Sequence, residues 1–147
     1  MKNYTKLKKR IKKNEGYSES AYQDLLGFFT IGYGHLIKSK EKYFLKGSFT
    51  KNILEKLFEN DFSKAVNNYN KYYKKERHSS HTEEVLIEMI FQLGIKGQQK
   101  FVKMNKHIQI KNFYMASLEM KSSVWYSQTP NRVIGLIEIL LKNINDR

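Results

Sequence analysis

Helical spacing of the apolar residues recurs along this chain, and one stretch replaces it with a strand-like composition. Apolar side chains recur at intervals of three and four residues in 3–14, 50–72, 82–94 and 130–144, which is the spacing of a buried helix face. Residues 16–34 are instead rich in Tyr, Phe, Thr, Ile and Gly, which predicts two or three short strands with tight glycine turns. One strand region among helices predicts an α+β fold that is mainly α.

The longest predicted helix begins after Thr50, a good N-cap residue, and runs to about residue 72. A helix of ~20 residues spans ~30 Å, which suits a connector between two lobes with a cleft between them. We therefore expect a small antiparallel β lobe, a long connecting helix and a helical C-terminal lobe. The predicted organisation is a single domain (1–147) with a β-containing N-terminal lobe (about 13–60) and a helical lobe (about 70–147 plus the N-terminal helix 1–12).

The remaining elements are predicted from caps and breakers. Thr82 is the predicted N-cap of a helix that Gly94 ends, and Pro130 lies in the first turn of the last helix, where its missing N–H is tolerated. Shorter helices are expected over 100–110 and 112–121, and polar connections over 36–49 and 72–81.

Composition narrows the classes of partner. The chain carries 27 basic and 14 acidic residues, a formal net charge of +13, so a polyanionic partner or surface is expected. It has no cysteine, which excludes disulfides and cysteine-ligated zinc. No apolar run approaches the ~20 residues of a membrane span, and the basic N-terminus leads into no apolar segment typical of a secretory signal peptide.

Two acids and a hydroxyl stand near one another in the strand region. Glu15 closes the first predicted helix, Asp24 lies beside a turn, and Thr30 follows on a strand. Glycoside hydrolysis needs one carboxyl that stays protonated and one that is ionised to steer water or stabilise positive charge on the sugar. The spacing alone is weak, because most acids are solvated surface groups.

The flanking residues make the pattern specific. Three motifs in the chain resemble those of the phage-type lysozymes of the T-even phage class, in the family order. They are Glu15-Gly16, Tyr22-Gln23-Asp24 and Gly27-Phe28-Phe29-Thr30-Ile31-Gly32-Tyr33-Gly34-His35-Leu36; Phe91-Gln92-Leu93-Gly94; and Trp125-Tyr126-Ser127-Gln128-Thr129-Pro130-Asn131-Arg132.

The resemblance implies roles for single residues. Glu15 matches the general acid, and Asp24 matches the carboxylate that positions water or stabilises the oxocarbenium ion. Thr30 matches a hydroxyl that helps to hold the water. The reaction of the family inverts the configuration at the anomeric carbon. No cofactor or metal is implied. The other matched positions are the cleft-lining residues Leu36 and Phe91, the interlobe pair Gln92 and Trp125, Arg132 as the salt-bridge partner of the acid, and the structural ion pair His35 and Asp61.

The chain also departs from the family pattern. Two further sugar contacts of the family fall on Met104 and Glu119, which are different residue types, and Leu26 and Val124 replace a charged cross-lobe pair. We expect looser hinge closure as a result. The three remaining histidines form no ligand-like arrangement, so we expect them to be solvated surface groups: His78, His81 and His107.

The leading interpretation is an enzyme that hydrolyses the β-1,4 bond between N-acetylmuramic acid and N-acetylglucosamine in peptidoglycan. Lytic transglycosylation is a second reading, but it needs no water-positioning acid. A basic module that binds nucleic acid or anionic membrane through segments such as 6–13 and 71–75 is a third, although no nucleic-acid motif accompanies them. The resemblance further implies a monomer that accumulates in the host cytoplasm and reaches the cell wall after holin-type release.

Overall fold

The computed structural model describes residues 3–145. In this part of the chain seven α-helices accompany three strands. In chain order they are α1 (Thr5–Glu15), β1 (Ser18–Gln23), β2 (Phe29–Gly32), β3 (His35–Leu36), α2 (Lys51–Tyr73), α3 (Ser80–Gln99), α4 (Val102–Gln109), α5 (Phe113–Lys121), α6 (Val124–Gln128) and α7 (Pro130–Asn145). The α+β, mainly α, class is therefore confirmed.

The chain forms two compact units, of which the first ends at Lys64 and the second begins at Ala65. The boundary falls inside α2, so this long helix contributes to both units. The predicted limits of the lobes, including the assignment of residues 1–12 to the helical one, stay predictions.

In the first unit, α1 lies against the first half of α2. Its buried residues Leu7 and Ile11 form the apolar stripe, and its lysines pair with acids of α2. The Nζ of Lys8 lies 2.9 Å from Glu59 Oε2. These contacts fix the axis of α1 and hence the position of its last residue, Glu15.

The sheet of the first unit is antiparallel, in the order β1-β2-β3. Thr30 is paired with Tyr22 on one side and with Leu36 on the other. Residues directly opposite each other in a sheet share a face, so these three form one row, which we call the site face. Ile31 and His35 are also paired and lie on the opposite face, which we call the core face.

The core face packs over a small apolar cluster. Ile31, Phe44 and Leu54 are all buried there. Phe44 comes from a 3₁₀ segment, Ser39–Leu45, within the stretch predicted to be a polar connection.

The second unit is helical. Its core is formed by buried apolar side chains of α3, α4, α5 and α7, among them Leu86, Met89, Met104, Met120 and Leu136.

Two details of the second unit differ from the predictions, and one agrees with them. The N-cap of α3 is Ser79 and not Thr82, because the Ser79 side chain accepts the Thr82 N–H. The predicted helix break at Gly94 is present, because its φ of +76 and ψ of 163 are not helical, and a second helical stretch then continues to Gln99. The five-residue helix α6, Val124–Gln128, was not predicted.

Candidate functional site

The structure places Glu15 at the C-terminal end of α1, where the backbone turns away. Gly16 follows with φ +77, and its N–H donates to the carbonyl of Lys12, so the helix stops at the acid. The Glu15 side chain lies against the turn between β2 and β3. A Cβ atom built on Gly34 would lie 2.5 Å from Glu15 Oε1, so the carboxylate occupies space that only a glycine at position 34 leaves open.

A carboxylate beside this contact ties the two elements together. Glu55 of α2 accepts hydrogen bonds from Lys12 Nζ (2.7 Å) and from the hydroxyl of Tyr33 (3.1 Å). Lys12 lies three residues before Glu15, and Tyr33 precedes Gly34. The hydrogen bond from Lys12 is the main reason that the pKa of Glu55 is lowered. Sequence reasoning missed Glu55, because its two partners lie 43 and 22 residues away along the chain.

Asp24 immediately follows β1 and organises the turn to β2. Its Oδ1 accepts the backbone N–H groups of Leu26 and Phe28, each at 2.9 Å, as in an Asx turn. The N–H of Gly27 donates to the Asp24 carbonyl at 2.9 Å. Two backbone donors on one oxygen fix the orientation of the carboxylate.

The charges of both acids affect the pKa of Tyr22. Burial of its ring raises the pKa of Tyr22, and the negative charges of Glu15 and then Asp24 raise it further. Coulombic interactions fall with distance, so both carboxylates lie within electrostatic reach of this one phenol. Both predicted acids therefore act electrostatically on this phenol, to which sequence reasoning gave no role.

Thr30 lies beside Tyr22 on the site face and is buried. Its hydroxyl donates to the carbonyl of Phe28 at 3.2 Å, which leaves its oxygen able to accept a hydrogen bond. Leu36 continues the row and is half-exposed.

His35 lies on the core face between two carboxylates. Its Nδ1 is 2.7 Å from Asp61 Oδ2, and its Nε2 is 2.9 Å from Glu41 Oε1. Burial by itself lowers the pKa of His35, but the hydrogen bonds with Asp61 and Glu41 outweigh it and raise that pKa above 6.5. Burial likewise raises the pKa of Glu41, and the bonds from His35 and the Lys38 N–H bring it below 4.5. Sequence reasoning named Asp61 and missed Glu41.

The residues predicted in the second unit form two hydrogen-bonded pairs. Trp125 is buried, and its Nε1 donates to Gln92 Oε1 at 2.9 Å. Arg132, in the first turn of α7, places its Nε 2.8 Å from Oε2 of the fully buried Glu88. Glu88 and Gln92 lie one turn apart on α3, so both pairs follow from one face of that helix. Phe91, the neighbour of Gln92, is partly exposed.

A pocket of about 430 Å³ in the second unit is lined by Met104 and Glu119, among other residues. Met104 is buried in the core, whereas Glu119 is partly exposed. These are the two positions at which the resemblance implies sugar contacts made by other residue types.

The expectation for His78 is wrong. Its side chain is only 5% exposed, its Nδ1 lies 2.9 Å from the Tyr69 hydroxyl, and its Nε2 lies 2.8 Å from Glu76 Oε1. It is a buried structural group and not a solvated one. Among residues 3–145, no three His, Asp or Glu side chains are grouped so that they could hold a metal ion, and no helix is both long and apolar enough to cross a bilayer.

Comparison with known proteins gives the family. No curated protein sequence matches the chain significantly. The sequence model of the family described as phage lysozyme matches residues 12–138, a range that contains both acids, the row of the site face and the Gln92–Trp125 pair. The chain therefore belongs to the phage lysozyme family, whose members are endolysin-type glycoside hydrolases that act on peptidoglycan.

Proposed function

We propose that this protein hydrolyses the β-1,4 bond between N-acetylmuramic acid and N-acetylglucosamine in peptidoglycan, with Glu15 as the general acid and Asp24 and Thr30 positioning the water. We also assign it to the T-even phage class of the family, on the three motifs of the sequence. The observation that supports the mechanism is the fixed placement of the two acids, with Glu15 against Gly34 and Asp24 oriented by two backbone N–H groups.

The surroundings of the two acids suit different roles. Glu15 closes α1 and lies against Gly34 of the β2–β3 turn, where the mechanism requires it to donate a proton. Asp24 directs one oxygen to two backbone N–H donors, which leaves its other oxygen for a water molecule. A protonated acid paired with a fixed base is the arrangement that an inverting glycosidase needs.

The further matched residues complete the proposal. Leu36, Phe91, Gln92 and Trp125 are proposed to support saccharide binding, and Arg132 is proposed to have a supporting role. We propose that the enzyme acts as a monomer, accumulates in the host cytoplasm and reaches the wall after holin-type release.

The experiment is clearing of purified cell walls by the wild type, Glu15→Gln and Asp24→Asn. We expect both losses to be large, with Glu15→Gln near background, because an amide can neither donate the proton nor serve as a base. The amide oxygen that Asp24→Asn introduces can still accept the two backbone N–H bonds, so the turn should be kept. Glu19→Gln, an exposed acid of β1, is the matched control and should retain activity.

Product analysis separates hydrolysis from transglycosylation. Mass spectrometry of the released fragments should show reducing ends and no 1,6-anhydro ends. Full activity of Glu15→Gln would overturn the mechanism, and anhydro products would overturn the reaction class.

Thr30 has its own test. Thr30→Val keeps the shape and removes the hydroxyl, so we expect a substantial loss of wall-clearing rate that is smaller than for Asp24→Asn. Thr30→Ser restores a hydroxyl and should recover much of the rate. An unchanged rate in Thr30→Val would remove this residue from the site.

A further inference from the structure

The turn between β1 and β2 exposes an unusual amount of apolar surface. Leu25 is 99% exposed, Leu26 is 70% exposed and Phe28 is 55% exposed. Isolated exposed apolar residues are common in proteins, but a cluster at one protruding point marks an interaction site. We call residues 25–28 the hairpin tip.

Hydrogen bonds within the turn fix the backbone conformation of the hairpin tip. Asp24 Oδ1 accepts the N–H groups of Leu26 and Phe28, and Gly27 takes φ +86 to close the turn. Because these bonds fix the turn in advance, insertion of its side chains into a partner loses little conformational entropy.

A second copy of the chain does not fit this surface. A stable interface buries about 800 Å² per partner, far more than the side chains of one turn supply. The net charge of +13 also makes two copies repel each other.

A lipid bilayer suits both the exposed apolar side chains of the hairpin tip and the positive net charge of the chain. A convex tip has no groove to enclose a small ligand, whereas apolar side chains can enter the boundary of the acyl chains. The segment 38–46 carries four lysines and one acid, Glu41, and it begins after Ile37, whose N–H donates to the carbonyl of Phe29 at 2.9 Å, directly after the tip. Lysines beside an inserting apolar tip favour anionic headgroups.

We propose that the hairpin tip is a docking site for an anionic phospholipid bilayer, with Leu25, Leu26 and Phe28 entering the interface and the lysines of 38–46 meeting the headgroups. This contact is separate from glycoside hydrolysis. Its test therefore includes Glu15→Gln, which should bind lipid as the wild type does.

The experiment is co-sedimentation with vesicles of phosphatidylglycerol and phosphatidylethanolamine, alongside vesicles of phosphatidylcholine. We expect the wild type to bind the anionic vesicles more tightly, and the double variant Leu25→Ser/Leu26→Ser to bind them about tenfold more weakly, because two large apolar side chains are lost. The matched control is Val102→Ser/Ile110→Ser, which removes two residues of the second unit that are each 68% exposed and should leave binding unchanged.

A fluorescent probe locates the contact. Leu25→Trp should show a blue shift and quenching by brominated lipids on the anionic vesicles, while Ile110→Trp should not. The natural Trp125 is buried and serves as the reference in both variants.

The proposal is overturned if the wild type does not bind anionic vesicles, if it binds phosphatidylcholine equally well, or if the serine variant of the tip binds as tightly as the wild type. A tip variant that keeps lipid binding and loses wall binding would instead make the tip a saccharide contact. A wild type that is dimeric in light scattering, with a monomeric tip variant, would make it an interface between copies.

Discussion

The two faces of the small sheet use adjacent residues for opposite purposes. On the core face, Ile31 is buried in an apolar cluster and His35 has a carboxylate at each ring nitrogen. On the site face, Thr30 and Leu36 are the sequence neighbours of those two residues, and they lie in a row with Tyr22, which senses both acids. The alternation of a strand thus separates the groups that hold the unit together from those available to a substrate.

The carboxylates of the first unit divide in the same way. Glu41, Glu55 and Asp61 are held by a cation or a donor and stabilise the fold. Glu15 lies against Gly34, and Asp24 accepts two backbone N–H groups of the β1–β2 turn. Substitutions should separate these two groups. Changes at Glu41, Glu55 or Asp61 should lower stability, whereas changes at Glu15 or Asp24 should lower activity.

The largest effect is expected for Gly34→Ala. The added Cβ would lie 2.5 Å from Glu15 Oε1 and 2.9 Å from its carboxyl carbon, so the acid must move, and small displacements of a catalytic group can cost about 100-fold in rate. The positive φ of +75 adds a strain of about 1–2 kcal/mol. Wall clearing and thermal unfolding measure the two effects separately.

Gly47→Ala is the matched control. Gly47 has a similar φ of +82, but nothing lies within 4 Å of the position of an added Cβ. We expect it to lose comparable stability and to keep its activity. Equal activities of the two variants would mean that the contact between Gly34 and Glu15 does not position the acid.

The core face predicts a smaller effect, on stability and with a defined pH dependence. His35→Gln should lower the free energy of unfolding by roughly 1.5–3 kcal/mol, the range for hydrogen bonds to charged groups. Because folding raises the pKa of His35, its contribution is fully present below pH 6.5 and is lost as the pH rises through the raised value. Because folding lowers the pKa of Glu41, the contribution of that acid is present above pH 4.5 and is lost as the pH falls through the lowered value.

Denaturant unfolding of the wild type and His35→Gln measures this window. The difference between them should be greatest between about pH 4.5 and 6.5 and should shrink as the pH rises through the raised pKa of His35. Glu59→Gln, which breaks the more exposed pair with Lys8, should cost less than about 1 kcal/mol. A difference that does not vary with pH would show that His35 is not charged in the folded protein.

The sequence was sufficient where one short pattern determines the structure. Helical spacing predicted the long helix α2 to within two residues at each end, and the glycine-rich stretch predicted the strands. Glu15, Asp24 and Thr30 could be named because they occur in one stretch of sixteen residues. Gly94 interrupts α3 with a positive φ, as predicted, but nothing in the sequence indicated the second helical stretch that continues to Gln99.

Long-range partners could not be predicted in this way. In the sequence, nothing distinguishes Glu41 and Glu55 from ordinary surface acids. They gain partners only when α1, α2 and the β2–β3 turn pack together. The prediction for His78 was wrong for the same reason. Its partner Tyr69 lies nine residues earlier in the chain, on α2. Electrostatic pairs of this kind depend on tertiary distances that periodicity does not contain.

The smallest effect is expected at the edge of the site face. Leu36 is half-exposed, so Leu36→Ala should change the free energy of unfolding by less than about 0.5 kcal/mol. If Leu36 contacts the saccharide equally in the ground and transition states, the loss should appear as a KM raised about threefold with an unchanged kcat. Kinetics on soluble peptidoglycan fragments measure this, and Leu45→Ala, an exposed leucine of the Ser39–Leu45 segment, is the control. A fall in kcat for Leu36→Ala would instead mean that this side chain contacts the transition state more strongly than the ground state. Leu36 would then contribute to the chemical step together with Thr30 of the same row.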